Sequence, residues 1–358
     1  MDFSQHFCKR GDILSKIDIK SMTIPEIKEF LTTLGEPSYR AKQIFSWLQS
    51  GVVSFDEMTN LSKSLRAKLD EQCYIADVKI VKRLESEIDG TVKYLYELHD
   101  GELIESVFMK YKHGYTVCIS TQVGCRMGCS FCASGIDGLF RNLTASEMLS
   151  QVMMAGRDNG VRISNVVMMG MGEPLDNFDN SVRFLQLVSS EEGLNIGLRH
   201  ISLSTSGLVS GILKLAEYNY PITLSVSLHA PNDKIRSSMM KINNKWNIEE
   251  LLNACKYYQS ITGRRISFEY AMINGVNDSL ENADELARKI KGIMSHVNLI
   301  PVNPVEENNY KKTNDNAIKA FVSRLESKGI TATVRRTLGA DINASCGQLR
   351  RGTVKEAD

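Results

Sequence analysis

From Tyr115 onward the chain repeats one pattern, a short apolar run followed by a longer amphipathic stretch. The short runs fall at 115–120, 165–169, 200–204, 223–228, 266–273, 296–302 and 330–335 and read as strands. Between them, stretches at about 144–157, 178–190, 208–218, 247–261, 279–291 and 314–328 read as helices. Repeated strand–helix units give a parallel sheet with helices outside it. Six such units and a final strand predict an α/β fold, a partial TIM-like (β/α)6 barrel open on one side. No internal repeat, low-complexity tract or long linker interrupts the pattern.

In such a barrel, functional groups gather at the C-terminal ends of the strands. The first strand, Tyr115-Thr116-Val117-Cys118-Ile119-Ser120, runs into Gly124-Cys125-Arg126-Met127-Gly128-Cys129-Ser130-Phe131-Cys132. A helix start, Thr144-Ala145-Ser146-Glu147, follows. Three thiols spaced C-x3-C-x2-C either converge on one metal centre or sit idle. Structural zinc takes four protein ligands, and the next cysteine downstream is Cys255. An iron–sulfur cube held by Cys125, Cys129 and Cys132 fits better, because its fourth iron stays open. Zinc and three plain thiols remain the alternatives.

The later strand ends carry small polar residues. Met169-Gly170-Met171-Gly172-Glu173-Pro174 follows the second strand; its glycines let backbone carbonyls approach a ligand, and Glu173 can accept from an ammonium. The third ends at Ser204-Thr205-Ser206-Gly207, the fourth at Ser225-Val226-Ser227-Leu228-His229-Ala230, the sixth at Pro301-Val302-Asn303-Pro304. Each alone is an ordinary polar strand end. Together they ring one face with donors and acceptors, as a nucleoside and an amino acid would require. His229 also admits a reading as a general base.

The flanks differ in kind. Residues up to about 72 read as a small helical unit: a capping box at Thr23-Ile24-Pro25-Glu26, then apolar faces on Ile27 and Leu31, on Ala41, Ile44 and Leu48, and on Leu61, Leu65 and Leu69. Arg40, Lys42, Lys63, Arg66 and Lys68 decorate its polar faces, either as plain solvated surface or as a platform for RNA phosphates. From Ile75 to Met109 the period falls to two, and Asp89-Gly90 and Asp100-Gly101 read as type I′ hairpin turns. The expected division is 1–72 helical, and RNA-binding on the second of those readings, 73–110 antiparallel extension, 111–336 barrel, and 337–358 a C-terminal loop.

With 358 residues, 42% of them hydrophobic, the chain can bury a sizeable core. A net charge of +1 exerts no global pull on nucleic acid, so any RNA contact must come from local basic patches. The first residues lack the apolar core of a signal peptide, and no run approaches the ~20 residues that span a bilayer. The eight cysteines do not scatter as a disulfide frame. A reducing, cytoplasmic setting without a membrane is the expectation.

The last informative stretch is Ala344-Ser345-Cys346-Gly347-Gln348-Leu349, flanked by Arg335, Arg336, Arg350 and Arg351. A Gly-flanked cysteine among polar residues suits a nucleophile that must move, and nearby arginines could lower its pKa or bind phosphate. Taken alone, Cys118 reads as a core residue and Glu105 as a polar strand residue.

The cysteine loop after a first strand resembles the radical S-adenosylmethionine (SAM) enzymes. With Cys118 ahead of it, Gly170-Met171-Gly172-Glu173-Pro174 and the late Cys346 loop, the chain resembles over nearly its whole length the RlmN/Cfr group of radical SAM RNA methyltransferases. Pro174 leans to the branch that methylates C2 of adenine, against the C8 branch that confers antibiotic resistance. A non-catalytic, metal-binding RNA adaptor is a third reading. Three positions depart from the group's pattern: Ser134 for Thr, Ser345 for Ala, and Leu338 for a frequent Arg, which removes one possible phosphate contact.

The resemblance implies one [4Fe-4S] cluster on Cys125, Cys129 and Cys132. It implies a SAM site lined by Gly172, Glu173, Ser204, Ser227, Leu228, His229 and Asn303. Two SAM molecules serve each turnover: one methylates Cys346, the other yields the radical that activates that methyl group for addition to C2. Glu105 is then the proton acceptor, and Cys118 frees the product while forming a disulfide with Cys346. The implied substrates are 23S rRNA and tRNA, with flavodoxin and its reductase as electron donor and a monomer as the working unit.

Overall fold

The computed structural model describes residues 16–302 and 310–342. In chain order, β1 (Ile17–Asp18) precedes three helices, α1 (Ile24–Thr33), α2 (Arg40–Ser50) and α3 (Lys63–Gln72), and β2 (Cys73–Tyr74) closes this unit by pairing parallel with β1. The expected capping box forms: Thr23 N donates to Glu26 Oε2 at 2.7 Å. Gly51 ends α2 in the left-handed conformation, φ 88°. Ile27, Leu31, Ile44, Leu48, Leu65 and Leu69 are buried and continuous with the barrel core. Lys20 crosses that junction fully buried, donating to Ser150 Oγ at 2.8 Å and Ala76 O at 3.0 Å.

The antiparallel extension follows as β3 (Lys79–Glu85), β4 (Val92–Glu97) and β5 (Leu103–Tyr111). Its turns are not type I′. Only Gly90 and Gly101 have positive φ; Asp89 and Asp100 do not, and the connections run to 86–91 and 98–102. These are longer loops closed by one left-handed glycine. The period-two reading also needs correcting, because β4 is buried on both faces and Lys93 with it.

The barrel proper runs β6 (Gly114–Cys118), β7 (Gln122–Gly124), β8 (Leu139–Asn142), α4 (Ala145–Asp158), β9 (Asn165–Met168), α5 (Phe178–Val188), β10 (Ile201–Thr205), α6 (Val209–Glu217), β11 (Thr223–Ser227), α7 (Asp233–Met239), α8 (Ile248–Thr262), β12 (Ile266–Met272), α9 (Leu280–Ile290), β13 (Ser295–Pro301), α10 (Asp315–Ser327) and β14 (Ala332–Val334). The expected strands and helices are all present; α7 and the β7–β8 ribbon were not anticipated. One ten-stranded sheet has the order β14-β13-β12-β11-β10-β9-β6-β5-β4-β3. Its pairings from β6 to β14 are parallel and those from β3 to β6 antiparallel.

The sheet does not close, since β14 and β3 are its two edges. It curves nonetheless, because residues on β5, β6, β10, β11, β12 and β13 all line one cavity. No described helix is long and apolar enough to cross a membrane.

Candidate active site at the strand ends

Strand β6 ends at Cys118, and the chain is held firmly beyond it. Ser120 N donates to Gln151 Oε1 at 2.8 Å, and Ser120 Oγ to Glu105 O at 2.6 Å. The segment after β9 lies directly against this stretch. Gly170 N donates to Ile119 O at 3.0 Å, and Met171 O accepts from Thr121 N at 2.8 Å. A Cβ on Gly170 would stand 2.6 Å from Ile119 O, and one on Gly172 (φ 102°) 2.6 Å from Gln122 Cβ. The two glycines are thus required by backbone packing; the expectation that they free carbonyls for a ligand fails at Met171, whose carbonyl is taken.

A cavity of about 390 Å³ opens above these strand ends. Cys125, Cys129 and Cys132 line it, as do Gly172, Glu173, Ser204, Ser227 and His229. Glu105 and Cys118 line it as well. Leu228 is not brought to the cavity; it is fully buried, and its N–H donates to Glu269 O at 3.1 Å. Asn303 and Cys346 lie outside the described residues.

The three cysteines are free thiols. Gly124 (φ 75°) lets their loop pass Gly138, whose carbonyl accepts from Cys125 N at 2.8 Å. A Cβ on Gly124 would sit 2.0 Å from that oxygen. Burial pushes the Cys125 thiol up to about 12 and Cys129 higher still, so both bind as thiolates only opposite a strong cation. Among the described residues, no three His, Cys, Asp or Glu side chains converge tightly enough for a single ion. Three soft sulfur donors spread around one cavity suit a polynuclear cluster, where each thiolate meets its own iron.

Glu173 is 3% exposed. Its Oε2 accepts from Ser206 N at 2.6 Å and Oε1 from Leu175 N at 3.0 Å, while burial raises its pKa. His229 sits at φ 55°, and its Nδ1 accepts from Ala271 N at 2.9 Å. The ring hydrogen is therefore on Nε2. Burial, with Arg236 nearby, holds His229 down to about 3. A neutral ring with its acceptor nitrogen already engaged is a donor to the cavity, which removes the general-base reading.

Glu105 is 1% exposed and lies 3.1 Å from Lys93 Nζ, itself 1% exposed. Burial raises the Cys118 thiol to about 11, against a lowering influence from Arg335. Cys118 packs with Val107 and Met109, and Leu338 lies against this patch. The departure at position 338 thus places an apolar side chain beside Cys118. No disulfide is present among the described residues, and Cys118 is a free thiol.

Two groups escaped the sequence reading. Arg236, on the unanticipated α7, is fully buried and donates to Ser206 O at 2.7 Å, Leu228 O at 3.2 Å and Ser227 O at 3.2 Å, tying two strand ends together. The available signal was Asn232, the helix cap ahead of it, which accepts from Ile235 N at 3.0 Å. Glu269, buried on β12, accepts from Asn298 Nδ2 at 2.7 Å and Ser267 Oγ at 2.9 Å inside the barrel. A strand reading of Ile266–Ile273 gave no reason to single it out.

Comparison with known proteins identifies the family. The Radical SAM superfamily model matches residues 119–287, and the model of the ribosomal RNA large subunit methyltransferase N-terminal domain matches 17–75. A relative from Alkaliphilus oremlandii named probable dual-specificity RNA methyltransferase RlmN is 56% identical, over 94% of this chain and 98% of that protein. One of the same name from Clostridium novyi is 53% identical, over 94% and 99%. The crystal structure of a radical SAM methyltransferase from Sphaerobacter thermophilus superposes with a TM-score of 0.88 at 46% identity, covering 93% of this chain and 98% of that one. By sequence, domain content and fold, the chain belongs to the RlmN family of radical SAM RNA methyltransferases.

Proposed function

We propose that this chain methylates C2 of adenine in 23S rRNA, at the peptidyl-transferase centre, and in tRNA, at the adenosine 3′ of the anticodon. It does so in the cytoplasm as a monomer, with flavodoxin and its reductase as electron source. The carrying observation is that Glu105, Cys118 and the three loop cysteines line one cavity, with Arg335 to Leu338 on its wall. The relatives' printed name, dual-specificity RNA methyltransferase, favours two RNA substrates and the C2 branch over the C8 one.

C2 of adenine is not a nucleophile, so direct displacement on the SAM sulfonium fails and a radical route is required. Cys125, Cys129 and Cys132 would each hold one iron of a [4Fe-4S] cluster. When bound, that cluster supplies the electron that splits SAM. Glu173, Ser204, Ser227 and the Nε2–H of His229 offer the polar lining for SAM, with Asn303 assigned by resemblance; Leu228, which the resemblance also implies, stands behind this lining rather than in it. Cys346 would take a methyl group from SAM, which leaves as the thioether, and present it to the base; SAM bound at the cluster would supply the radical that activates that methyl group.

Once the carbon has added to C2, Glu105 takes the C2 proton, held in place by Lys93, and the one electron left on the adduct would return to the cluster that supplied it. Cys118 must lose its own proton before it acts. Its attack on the Cys346 sulfur forms the S–S bond and breaks the sulfur–carbon bond. The electron pair stays on the carbon, which a proton completes as the methyl group.

The test is methylation of rRNA and tRNA transcripts by anaerobically reconstituted enzyme, with mass mapping of the product. C2-methyladenosine is expected in both. Cys346→Ala should keep cluster and SAM binding yet give no product, and Cys118→Ala should accumulate protein crosslinked to RNA. A product methyl group that keeps all three hydrogens of one SAM overturns the mechanism.

A further inference from the structure

The basic residues first nominated for RNA are mostly committed elsewhere. Lys68 pairs with Glu36 at 2.6 Å, Lys42 with Glu192 at 3.4 Å, and Arg66 Nη1 donates to Asp56 O at 2.6 Å. Arg40 donates to Gln43 Oε1 at 2.8 Å. A different basic surface lies beside the active-site cavity.

The β5–β6 hairpin projects past the sheet and is pinned there. Gly114 (φ 126°) passes so close to Ser164 that a Cβ would stand 2.5 Å from its Oγ, and Ser164 N donates to Tyr115 O at 2.9 Å. On this fixed hairpin the rings of Tyr111 and His113 stack, with centroids 5.5 Å apart at 15°. Arg199 and His200 face them from the turn before β10, His200 Nδ1 lying 3.0 Å from Asn165 Oδ1. Together with Arg335, these residues line a second cavity of about 260 Å³. It shares Met109, Tyr111 and Arg335 with the active-site cavity, so the two adjoin across these side chains. No carboxylate among the described residues forms an ion pair with Arg199 or Arg335. In a chain of net charge +1, this positive potential is local.

We propose that the second cavity holds the single-stranded RNA backbone beside the target nucleotide, with Arg199 and Arg335 on phosphate oxygens and the Tyr111–His113 stack receiving a neighbouring base. This rests on the reading that the chain modifies RNA. Guanidinium groups neutralise phosphates, although Arg335 also faces the buried Glu269 carboxylate, and a ring face accepts a base without regard to its identity. The surface therefore contributes affinity and register, while base discrimination stays in the main cavity.

The experiment measures binding of an unmodified tRNA transcript to the reconstituted holoenzyme across a salt series, together with single-turnover methylation. Arg199→Ala should weaken binding roughly tenfold and flatten the slope of log affinity against log salt by about 0.7. Arg199→Lys should restore the slope. His113→Ala should weaken binding without changing the slope. In both alanine variants SAM affinity and iron content should match the wild type. Arg199→Ala with wild-type affinity and slope overturns the inference, whereas a wild-type enzyme that neither binds nor methylates the transcript overturns the proposed function instead.

Discussion

Asp341 fastens the chain beyond β14 to the β3–β4 turn: its Oδ1 accepts from Ser86 Oγ at 2.7 Å and its Oδ2 from Glu87 N at 2.9 Å. The turn replies through Asp89, whose Oδ2 accepts from Gly339 N at 2.9 Å. This double tie lies five residues ahead of Cys346. Asp341→Ala should leave iron content and SAM affinity unchanged and slow RNA methylation about ten- to a hundredfold, the scale of a misplaced reacting group. Single-turnover rates with tRNA check this. An unslowed variant would show that the tie has no part in presenting Cys346.

The Lys93–Glu105 pair is buried on both sides. Removing one partner strands a charge, whereas replacing both need not destabilise. Lys93→Met should cost about 3 kcal/mol, and Lys93→Met with Glu105→Leu should recover most of it. Denaturant melts of the two variants give the comparison. The double variant should still lack methylation, because it removes the carboxylate proposed to accept the C2 proton.

Gly172 and Gly90 both have positive φ, yet a Cβ meets Gln122 Cβ at 2.6 Å in one and open space in the other. Gly90→Ala should cost about 1 kcal/mol, the backbone price alone. Gly172→Ala should cost more than about 3 kcal/mol or abolish cluster incorporation, since backbone atoms must shift. Thermal melts and iron analysis separate the cases.

His229 titrates near 6.5 in an unfolded chain and at about 3 in the fold. Below pH 6.5 the unfolded chain therefore binds more protons, and stability falls as the pH falls toward 3. Between pH 6.5 and 5 this one group should remove about 2 kcal/mol. His229→Asn keeps an acceptor for Ala271 N and tolerates positive φ, so its stability should vary less over the same range. Parallel urea titrations would show it; equal pH dependence in both proteins would remove His229 as the cause.

The alternation of strands and helices was legible because each element carries its own signal. Thr144 and Asn247 cap their helices with Glu147 and Glu250 as capping rules require. The cysteine spacing likewise announced its loop. What escaped depended on neighbours distant in sequence. Lys93 looks like an exposed strand lysine until β5 brings Glu105 beside it. Arg236 looks like a surface helix charge until three carbonyls from two strand ends surround it. Position and charge at a strand end can be read locally; burial and pairing require the register of the whole sheet.

β6 belongs to both halves of that sheet, antiparallel to β5 and parallel to β9. The hairpin extension is therefore no detachable appendage. A chain shortened to begin after Tyr111 would turn the wall bearing Cys118 into a raw margin, its amides and carbonyls bare on one side. Such a margin recruits other strands, so the trimmed protein should gather into aggregates before it could be assayed as a minimal barrel.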